Sequence, residues 1–555
     1  MHRCLQVPEI LSLIFLQVEQ EVGGKKTLAG LARTCHTFHD PAFDVLWYEQ
    51  EDFSALLRCM PSDLWDESES GHRGRSTLHT LKFRRSMVSD DWAKLGRYAS
   101  RIRVLHLGMT SLVSSATSSV VYLTLIDLGV FRFLSIHRPS GVLLPNLRHL
   151  HWLYSPGEIF PYIHLFLHSS LSGLDLQTVV GMSDEERTHF LSRLTTSSPN
   201  LVRLRLAGTV SVMGLQQICR MRHLRDIRLS LSSVSATDLA LLAGLSSLTR
   251  LSIRAQQHQD ITVQRLRLLC SQPFVALRHL TVYGLNLESC TALLRWISPS
   301  HLQELTCDID RSAPVSNVSF EGFIDAVAQS CSHTSLSYLQ ITDSAPEPTF
   351  PELHLEAASL RPLLAFRNLA TVVIDPPIFI VMDNSILQEM ALAWPDIENL
   401  SIGGERRSLR GYKVTLKGLI SLIEHCPRLK KLGVVLYATT EIDGEKLANG
   451  VSAPSVKHLR FARSTIPDNR ALEVAAFLSA LFPQVGHWGL SAWDDNVAAN
   501  LDEELAEDVG DCELRDAWRE VIRAYPVFVR VREQERRRSQ KEVQFVVGAS
   551  SSRLL

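Results

Sequence analysis

The sequence has no surplus of either charge. Its 57 lysines and arginines nearly balance its 59 aspartates and glutamates, which leaves a formal net charge of −2 at pH 7. A chain with this balance exerts no overall attraction on nucleic acid or anionic lipid, so we expect neither nucleic acid nor a membrane among its partners. Charge can contribute to recognition only through a local cluster.

The sequence also lacks the patterns of the common metal and catalytic sites. Its ten cysteines form no Cys-x-x-Cys pair, so neither a zinc site nor a disulfide framework is indicated. His-Glu-x-x-His and Gly-x-Ser-x-Gly are absent, and the 21 histidines show no metal-binding spacing. We therefore expect no metal, no cofactor and no enzymatic activity.

Long apolar runs are missing as well. No stretch reaches the roughly 18 residues that predict a membrane span. The apolar run at 11–16 is too short for a signal peptide, and Pro8 and Glu9 stand where basic residues would precede it. Together with the cysteine usage, this predicts a protein of the cytoplasm, the nucleus or both.

The chain does contain a recurring phrase, Leu-x-x-Leu-x-Leu, often preceded by a proline two residues upstream. Pro199 precedes the copy that begins at Leu201, and Pro427 precedes the copy at Leu429. Most copies follow one another at intervals of about 23 to 34 residues, which is typical of solenoid repeats. The copies begin at Leu78, Ile102, Leu147, Leu171, Leu201, Leu224, Leu248, Leu277, Leu302, Leu336, Leu369, Ile397, Leu429, Val456 and Val485, with a further copy at Val120 in the one long gap.

Each phrase is short enough to form one strand, and the segments between phrases have helical spacing. A proline then stops the helix two residues before the next phrase. These prolines are Pro145, Pro199, Pro395, Pro427, Pro454 and Pro483. A unit of strand, turn, helix and turn resembles the leucine-rich repeat. We therefore predict an α/β fold, with a solenoid over 77–495 that has parallel strands on its concave face and helices outside.

The predicted solenoid is irregular. A leucine-rich repeat usually has asparagine or cysteine three residues after its last leucine, where the side chain satisfies buried backbone groups. The equivalent positions here hold Thr209, Ser232, Gln256 and Leu285. We therefore expect irregular turns, and inserted loops where the intervals are long.

The first fifty residues, which we call the head, follow a different pattern. Pro8 suits the first position of a helix, and apolar residues recur at helical spacing until Gly23 and Gly24 end the helix. A third predicted helix opens at Asp40 and Pro41. The second predicted helix carries four apolar residues on one face: Leu28, Leu31, Cys35 and Phe38. Three short helices enclose little core, so either another protein or the repeats must cover their apolar surface.

The order of residues in the head resembles the F-box motif. The matching segments are Val7-Pro8-Glu9-Ile10-Leu11, Ile14-Phe15, Leu31-Ala32-x-x-Cys35-x-x-Phe38, Pro41-Ala42 and Leu46-Trp47. The chain departs from the motif at Val7, where leucine is usual, and in the shorter spacing between Pro8 and Glu9. With its repeats, the chain resembles the F-box proteins of the leucine-rich-repeat class, an arrangement common in fungi.

This resemblance implies binding to a Skp-type adaptor and, through it, to a cullin–RING ubiquitin ligase. Phe15 and Trp47 are the expected anchors, because large aromatic side chains often dominate the energy of such interfaces. The residues that match the adaptor-facing positions are Pro8, Ile10, Leu11, Ile14, Phe15, Leu31, Cys35, Leu46 and Trp47.

We expect four segments along the chain: the head at 1–50, a linker at 51–76, the solenoid at 77–495, and a C-terminal helical cap with a basic tail at 496–555. Residues 61–77 are polar and contain glycine, which is typical of a loop or hinge. A helix from Leu501 to about Tyr525 is expected to cap the last repeat. The basic run from Arg530 to Lys541 is a solvated helix, a disordered tail or a nuclear signal.

Several neighbouring repeats present basic residues on the predicted concave face. Adjacent strands lie about 4.8 Å apart, so these side chains are expected to form one basic patch. Such a patch suits a carboxylate-rich or phosphorylated target peptide. The alternative is that these charges only keep an exposed strand face soluble. The residues are Arg203, Arg205, Arg228, Arg250, Arg254 and His279.

Two functions fit these patterns. The first is a substrate receptor of a ubiquitin ligase, whose head binds the adaptor and whose repeats hold the target, so that it contributes proximity rather than chemistry. The second is a non-catalytic leucine-rich-repeat scaffold or sensor, in which the head merely caps the solenoid. The sequence does not name the target protein.

Overall fold

A computed structural model describes residues 7–73, 76–108, 121–139, 141–153, 157–176, 182–258, 261–310, 315–343, 354–376, 379–403, 413–438, 451–461, 464–466, 470–489 and 509–551. Internal contacts divide the chain into two units. The first is Met1–Gln256 with Phe274–Ala276, and the second is Gln257–Pro273 with Leu277–Leu555. The four segments expected from the sequence stay a prediction.

The head consists of three helices, α1 (Pro8–Glu19), α2 (Gly24–Leu31) and α3 (His36–Tyr48). Gly23 separates the first two, because its φ of +80° lies in the left-handed region that favours glycine. The expected start of the third helix at Asp40 is wrong. Cys35 caps α3 instead, since its extended backbone lets its carbonyl accept from the amides of Phe38 and His39.

The strands of the first unit are β1 (Glu49–Gln50), β2 (Trp65–Arg73), β3 (Ser76–Phe83), β4 (Val104–Leu107), β5 (Val121–Ile126), β6 (His149–Trp152), β7 (Gly173–Leu176), β8 (Arg203–Val210), β9 (Asp226–Val234) and β10 (Arg250–His258). Seven of them lie side by side in the order β1-β4-β6-β7-β8-β9-β10. The pairs from β1 to β9 are parallel.

The helices of the first unit return the chain between its parallel strands. They are α4 (Ser54–Arg58), α5 (Ser89–Ala99), α6 (Leu128–His137), α7 (Asp184–Ser197), α8 (Val212–Ile218) and α9 (Ala236–Ala243), with a 3₁₀ segment at Phe160–Leu165. Apolar residues of the phrases form the core, as Leu201, Leu204 and Leu206 do in the copy that begins at Leu201. Strands therefore bury one face and leave the other open to solvent.

Residues 61–77, which we expected to form a loop or hinge, contain strands instead. β2 and β3 form an antiparallel hairpin with Trp65 opposite Phe83, and β5 adds to the other edge of β3. The copies at Leu78 and Val120 therefore lie in a separate three-stranded sheet, where we expected solenoid strands. Polar β2 is held partly by ion pairs of Asp66 with Lys82 and Arg84, which apolar periodicity does not reveal.

The second unit repeats the arrangement of strands and helices. Its strands are β11 (His279–Leu285), β12 (Glu304–Ile309), β13 (Tyr338–Thr342), β14 (His354–Glu356), β15 (Thr371–Asp375), β16 (Phe379–Val381), β17 (Asn399–Ile402), β18 (Lys431–Val434), β19 (His458–Arg460) and β20 (His487–Gly489). Eight lie in the order β11-β12-β13-β15-β17-β18-β19-β20, with parallel pairing. β14 and β16 form a small parallel pair of their own.

The helices of the second unit are α10 (Val263–Leu269), α11 (Leu287–Trp296), α12 (Asn317–Ser330), α13 (Asn384–Ala393), α14 (Leu416–His425), α15 (Ala471–Leu481) and α16 (Val509–Ser551), with a 3₁₀ segment at Ala357–Ala365. The expected role of the prolines is confirmed at four positions. α7, α13, α14 and α15 each end two residues before Pro199, Pro395, Pro427 and Pro483. Both units have the alternating strand and helix of a leucine-rich-repeat fold.

The C-terminal helix α16 packs on the last repeats through α15. The indole N–H of Trp518 donates to the carbonyl of Ser464 at 2.8 Å, and the Tyr525 hydroxyl donates to the carbonyl of Phe482. The helix continues to Ser551 rather than ending near Tyr525, and its predicted start at Leu501 lies outside the described residues. None of the helices within the described ranges combines the length and apolar character needed to cross a bilayer.

Candidate functional site

The core of the head contains two of the residues that resemble adaptor-facing positions. Leu11 and Phe15 are only 1% and 3% exposed, and they pack with Leu28, Ala42 and Val45. The ring of Phe15 also meets Phe38 edge-on, with centroids 5.6 Å apart. Phe15 therefore holds the three helices together, which corrects its expected role as a surface anchor.

Trp47, the other expected anchor, is 7% exposed and lies between the head and the first repeats. Its ring packs on Tyr98 of α5, with centroids 4.8 Å apart. Arg101 strengthens the same junction through ion pairs with Asp40 and Asp44 of α3. The expectation that Trp47 reaches outward is therefore corrected, because the ring is covered by the protein itself.

The outer face of α1 carries apolar side chains that the described residues leave uncovered. We call four of them the α1 apolar edge: Val7, Ile10, Leu13 and Ile14, which are 39%, 38%, 69% and 40% exposed; Leu16, farther along the helix, is 42% exposed. The spacing of three and four residues from Ile10 to Leu13 and Ile14 places these side chains next to one another on the helix. Pro8 is exposed beside them. Leu13 was missed in the sequence, although it follows Ile10 at helical spacing.

The other residues that match the motif lie at the margin of the head. Leu31 and Leu46 are half-buried and pack against the head core, and half-buried Cys35 caps α3. Of the nine residues, the structure thus exposes Pro8, Ile10 and Ile14, half-buries three and encloses Leu11, Phe15 and Trp47. An uncovered apolar surface remains, but it is smaller than the resemblance implies.

The open face of β8, β9 and β10 brings three of the predicted arginines together. We call this group, with its neighbour Arg228, the arginine cluster: Arg203, Arg205, Arg228 and Arg250. Arg203 and Arg205 point away from the core because they alternate with buried leucines. The parallel register places Arg205 opposite Arg228. The amide of Arg250 donates to the carbonyl of Arg225, which brings Arg250 beside β9.

An acidic residue at the centre of the arginine cluster was missed in the sequence. Asp226 lies directly opposite Arg203 in the register, and its carboxylate is nearly buried. Its Oδ2 atom lies 3.2 Å from Nε of Arg203, 3.4 Å from Nη2 of Arg205 and 3.9 Å from Nη1 of Arg250. Alignment of the phrases could have found it, because Asp226 occupies the position of Arg203 and Arg250 in its own repeat.

Of the six predicted target residues, Arg254 and His279 lie outside the arginine cluster, and Arg228 is its most exposed member. Arg228 is exposed and, among the described residues, makes no hydrogen bond or ion pair. Arg254 is exposed farther along β10. His279 belongs to the second unit, where its Nδ1 lies 2.9 Å from a carboxylate oxygen of Glu304.

Histidines continue the open face toward the head. The rings of His106 and His151 stack at 4.5 Å between the carboxylates of Glu49 and Asp175. Burial, and then the nearby charge of Arg203, lower the pKa of His149 below its ordinary value. Within the described ranges, no three His, Cys, Asp or Glu side chains are grouped so that they could hold a metal ion.

Comparison with known proteins gives structural likenesses but no family. No protein-family model matches the sequence, and no curated protein matches it. Among solved structures, the Rad7 and Elc1 complex from yeast has 13% identity and a TM-score of 0.40, covering 79% of this chain and 91% of that chain.

Two further solved structures are also similar. An internalin (inlF) of Listeria monocytogenes has 13% identity and a TM-score of 0.28, covering 75% of this chain and 86% of that chain. The leucine-rich-repeat ectodomain of GASSHO1/SCHENGEN3 from Arabidopsis thaliana has 14% identity and a TM-score of 0.29, covering 70% of this chain and 42% of that chain. All three TM-scores lie below 0.5, so the fold assignment stands on strand order and register.

Proposed function

We propose that the protein is the substrate receptor of a ubiquitin ligase and that the α1 apolar edge docks on a Skp-type adaptor. The observation that carries this proposal is the exposure of Ile10, Leu13 and Ile14 on a helix that packs into the head through Leu11 and Phe15. Apolar side chains at helical spacing are suited to a groove on a partner protein. The motif-like order of residues from Val7 to Trp47 favours an adaptor as that partner.

In this proposal the two ends of the head have different tasks. α3 fixes the head to the repeats through Trp47 and Tyr98, and α1 presents its edge to the adaptor. A head held rigidly on the repeats keeps a bound target at a defined distance from the ligase, and the protein then acts by proximity. The arginine cluster is the proposed site for the target, because guanidinium groups bind carboxylates and phosphates strongly.

A second function is favoured by a different observation. Glu49 and Gln50 extend the strand order of the first unit by pairing with Val104 and Leu105, and Trp47 covers the end of the same core. Both features are expected of a head that only caps a solenoid. The alternative is therefore a leucine-rich-repeat scaffold or sensor that needs no adaptor.

Binding to a purified Skp-type adaptor distinguishes the two functions. Ile10→Ser combined with Ile14→Ser should abolish the complex while the melting temperature stays nearly unchanged, because both side chains are already partly exposed. The matched control combines Val318→Ser with Leu392→Ser, which removes two exposed apolar side chains from α12 and α13. Absence of a complex with the unaltered protein would leave the scaffold or sensor as the function.

A further inference from the structure

Asp226 already supplies the arginine cluster with one carboxylate. Arg203, Arg205 and Arg250 all approach the same Oδ2 atom, at 3.2, 3.4 and 3.9 Å. One negative charge offsets only part of the repulsion among several guanidinium groups. With Arg228 included, four cations face two carboxylates, because Asp175 lies opposite Arg205 in the register, and the arginine cluster keeps a positive charge.

Arg205 provides a second, independent observation. Its Nε atom is buried and has no hydrogen-bond acceptor among the described residues. Buried N–H groups in folded proteins are nearly always paired, so Arg205 retains a donor for which the described residues supply no acceptor. The arginine cluster therefore has both charge and hydrogen-bonding capacity that Asp226 does not use.

The neighbouring charges limit what can bind there. Asp175 lies opposite Arg205 in the register, and its carboxylate is 3.5 Å from Nδ1 of His151. A long polyanion such as a nucleic acid would bring further phosphates against Asp175 and Asp226, where like charges repel. A single compact oxyanion meets less of this repulsion than a chain of phosphates does. The site therefore suits one phosphate group on a peptide better than a chain of phosphates.

We propose that Asp226 sets a threshold, the minimum negative charge that a bound group must carry. The arginine cluster then accepts a phosphate monoester on a target peptide and rejects an isolated carboxylate. A glutamate of a target has the same charge as Asp226 and the same two oxygens, so it offers the arginines nothing new. A phosphate monoester carries a charge of about −1.5 to −2 and three acceptor oxygens. This proposal rests on the proposed function, because it names the class of target that the repeats hold.

Equilibrium dialysis of the full chain against radiolabelled inorganic phosphate, at constant ionic strength, tests the site with the anion alone. We expect one saturable site that a tenfold excess of acetate does not displace. Arg228→Gln should weaken phosphate binding at least threefold. Because the side chain of Arg228 is exposed, we expect this variant to fold normally. Arg132→Gln, which removes an exposed arginine of α6, should leave the affinity unchanged.

The variant Asp226→Asn tests whether Asp226 sets this threshold or whether the arginines act as a basic patch that Asp226 does not affect. We expect this variant to bind phosphate at least threefold more tightly and to become sensitive to acetate. An unchanged phosphate affinity, with acetate still ineffective, overturns the threshold. Absence of saturable phosphate binding in the unaltered protein, or an equal loss in Arg132→Gln, overturns the phosphate site itself.

Two competitors and one parallel measurement complete the test. Free phosphoserine should displace the labelled phosphate, whereas displacement by a single-stranded oligonucleotide at lower concentration would overturn the choice of a peptide target. Adaptor binding is measured on the same preparations. A chain that binds the adaptor but no phosphate loses only this inference, and a chain that binds phosphate but no adaptor loses only the proposed ligase function.

Discussion

The indole ring of Trp47 packs on the phenol ring of Tyr98, with centroids 4.8 Å apart and ring planes inclined by 42°. Trp47 is near the end of α3 and Tyr98 lies in α5, so the contact joins the head to the repeats. β1 begins two residues after Trp47 and pairs with β4. α3 therefore fixes the head to the repeats. Because the head caps the repeats through α3, the α1 apolar edge remains available to a partner.

Trp47→Ala should lower the free energy of unfolding of the first unit by about 3–5 kcal/mol, because it leaves a cavity against Tyr98. Denaturant unfolding followed by circular dichroism measures the loss. Tyr48→Ala is the matched control. The ring of Tyr48 is half-exposed, so its removal should lower the free energy of unfolding far less. Trp47→Phe keeps a ring at the junction and should retain adaptor binding. A stable Trp47→Phe protein that no longer binds the adaptor would restore the anchor role.

The repeats could be predicted because their leucines are both periodic and buried. From Ile102 onward, every copy except that at Val120 leads into a strand of the repeats, and these strands follow one another in chain order. Four of the prolines stand two residues after the end of a helix, as expected. The hairpin of β2 and β3 could not be predicted this way. Its first strand, including Glu67 and Glu69, has no apolar face, and its pairing depends on partners distant in the sequence.

The candidate sites were predictable only in part, for a related physical reason. Helical spacing identifies two apolar stripes on α1 but not which one the other helices cover. Phe15 and Ile14 are neighbours in the sequence, yet one is enclosed and the other exposed. The arginine cluster followed from the strand register, whereas the effect of Asp226 appears only when three guanidinium groups converge on it.

Gly173→Ala should disturb the open face next to the arginine cluster. A Cβ atom at Gly173 would lie 2.2 Å from Nδ1 of His149, so the imidazole must move. Overpacking of this kind costs about 1–3 kcal/mol. Since burial is the main cause of the lowered His149 pKa, an NMR titration should show that pKa rising in the variant.

Gly96→Ala serves as the control for this substitution. Gly96 lies within α5, and nothing stands within 4 Å of an added Cβ. Alanine is the better helix former by roughly 1 kcal/mol, so the control should be neutral or stabilising. If Gly173→Ala is equally harmless and the His149 pKa is unchanged, the close approach of the imidazole to Gly173 is contradicted.

Asp91 makes the stability of the first unit depend on pH. Its hydrogen bond with Arg85, assisted by the amide of Val88, holds the pKa of the Asp91 carboxyl below its ordinary value. An unfolded aspartate titrates near about pH 3.9, so the unfolded chain takes up this proton first as the pH falls. The stabilisation is complete above that pH and is lost as the pH falls through the folded-state pKa.

Asp91→Asn should therefore cost about 1–3 kcal/mol at pH 7, and the difference from the unaltered protein should shrink as the pH is lowered below about 4. Unfolding by urea at a series of pH values measures this. The neighbouring Asp90→Asn removes an exposed carboxylate of the same helix turn and should show a much smaller change. If Asp91→Asn lowered the free energy of unfolding by the same amount at every pH, the assigned role of the Asp91 carboxyl in the pH dependence would be contradicted.

Tyr525→Phe should loosen the C-terminal helix from the last repeat. The Tyr525 hydroxyl donates to the carbonyl of Phe482 and accepts from the amide of Val485 at 3.1 Å. Without it, two backbone groups lose their partner at once, which costs about 1–3 kcal/mol. Hydrogen exchange should show a faster Val485 amide, while Tyr437→Phe, at a half-exposed ring of the same unit, should change neither exchange nor stability. Unchanged protection of Val485 in Tyr525→Phe would mean that other contacts of α16, such as the hydrogen bond from Trp518 to Ser464, are enough to hold it in place.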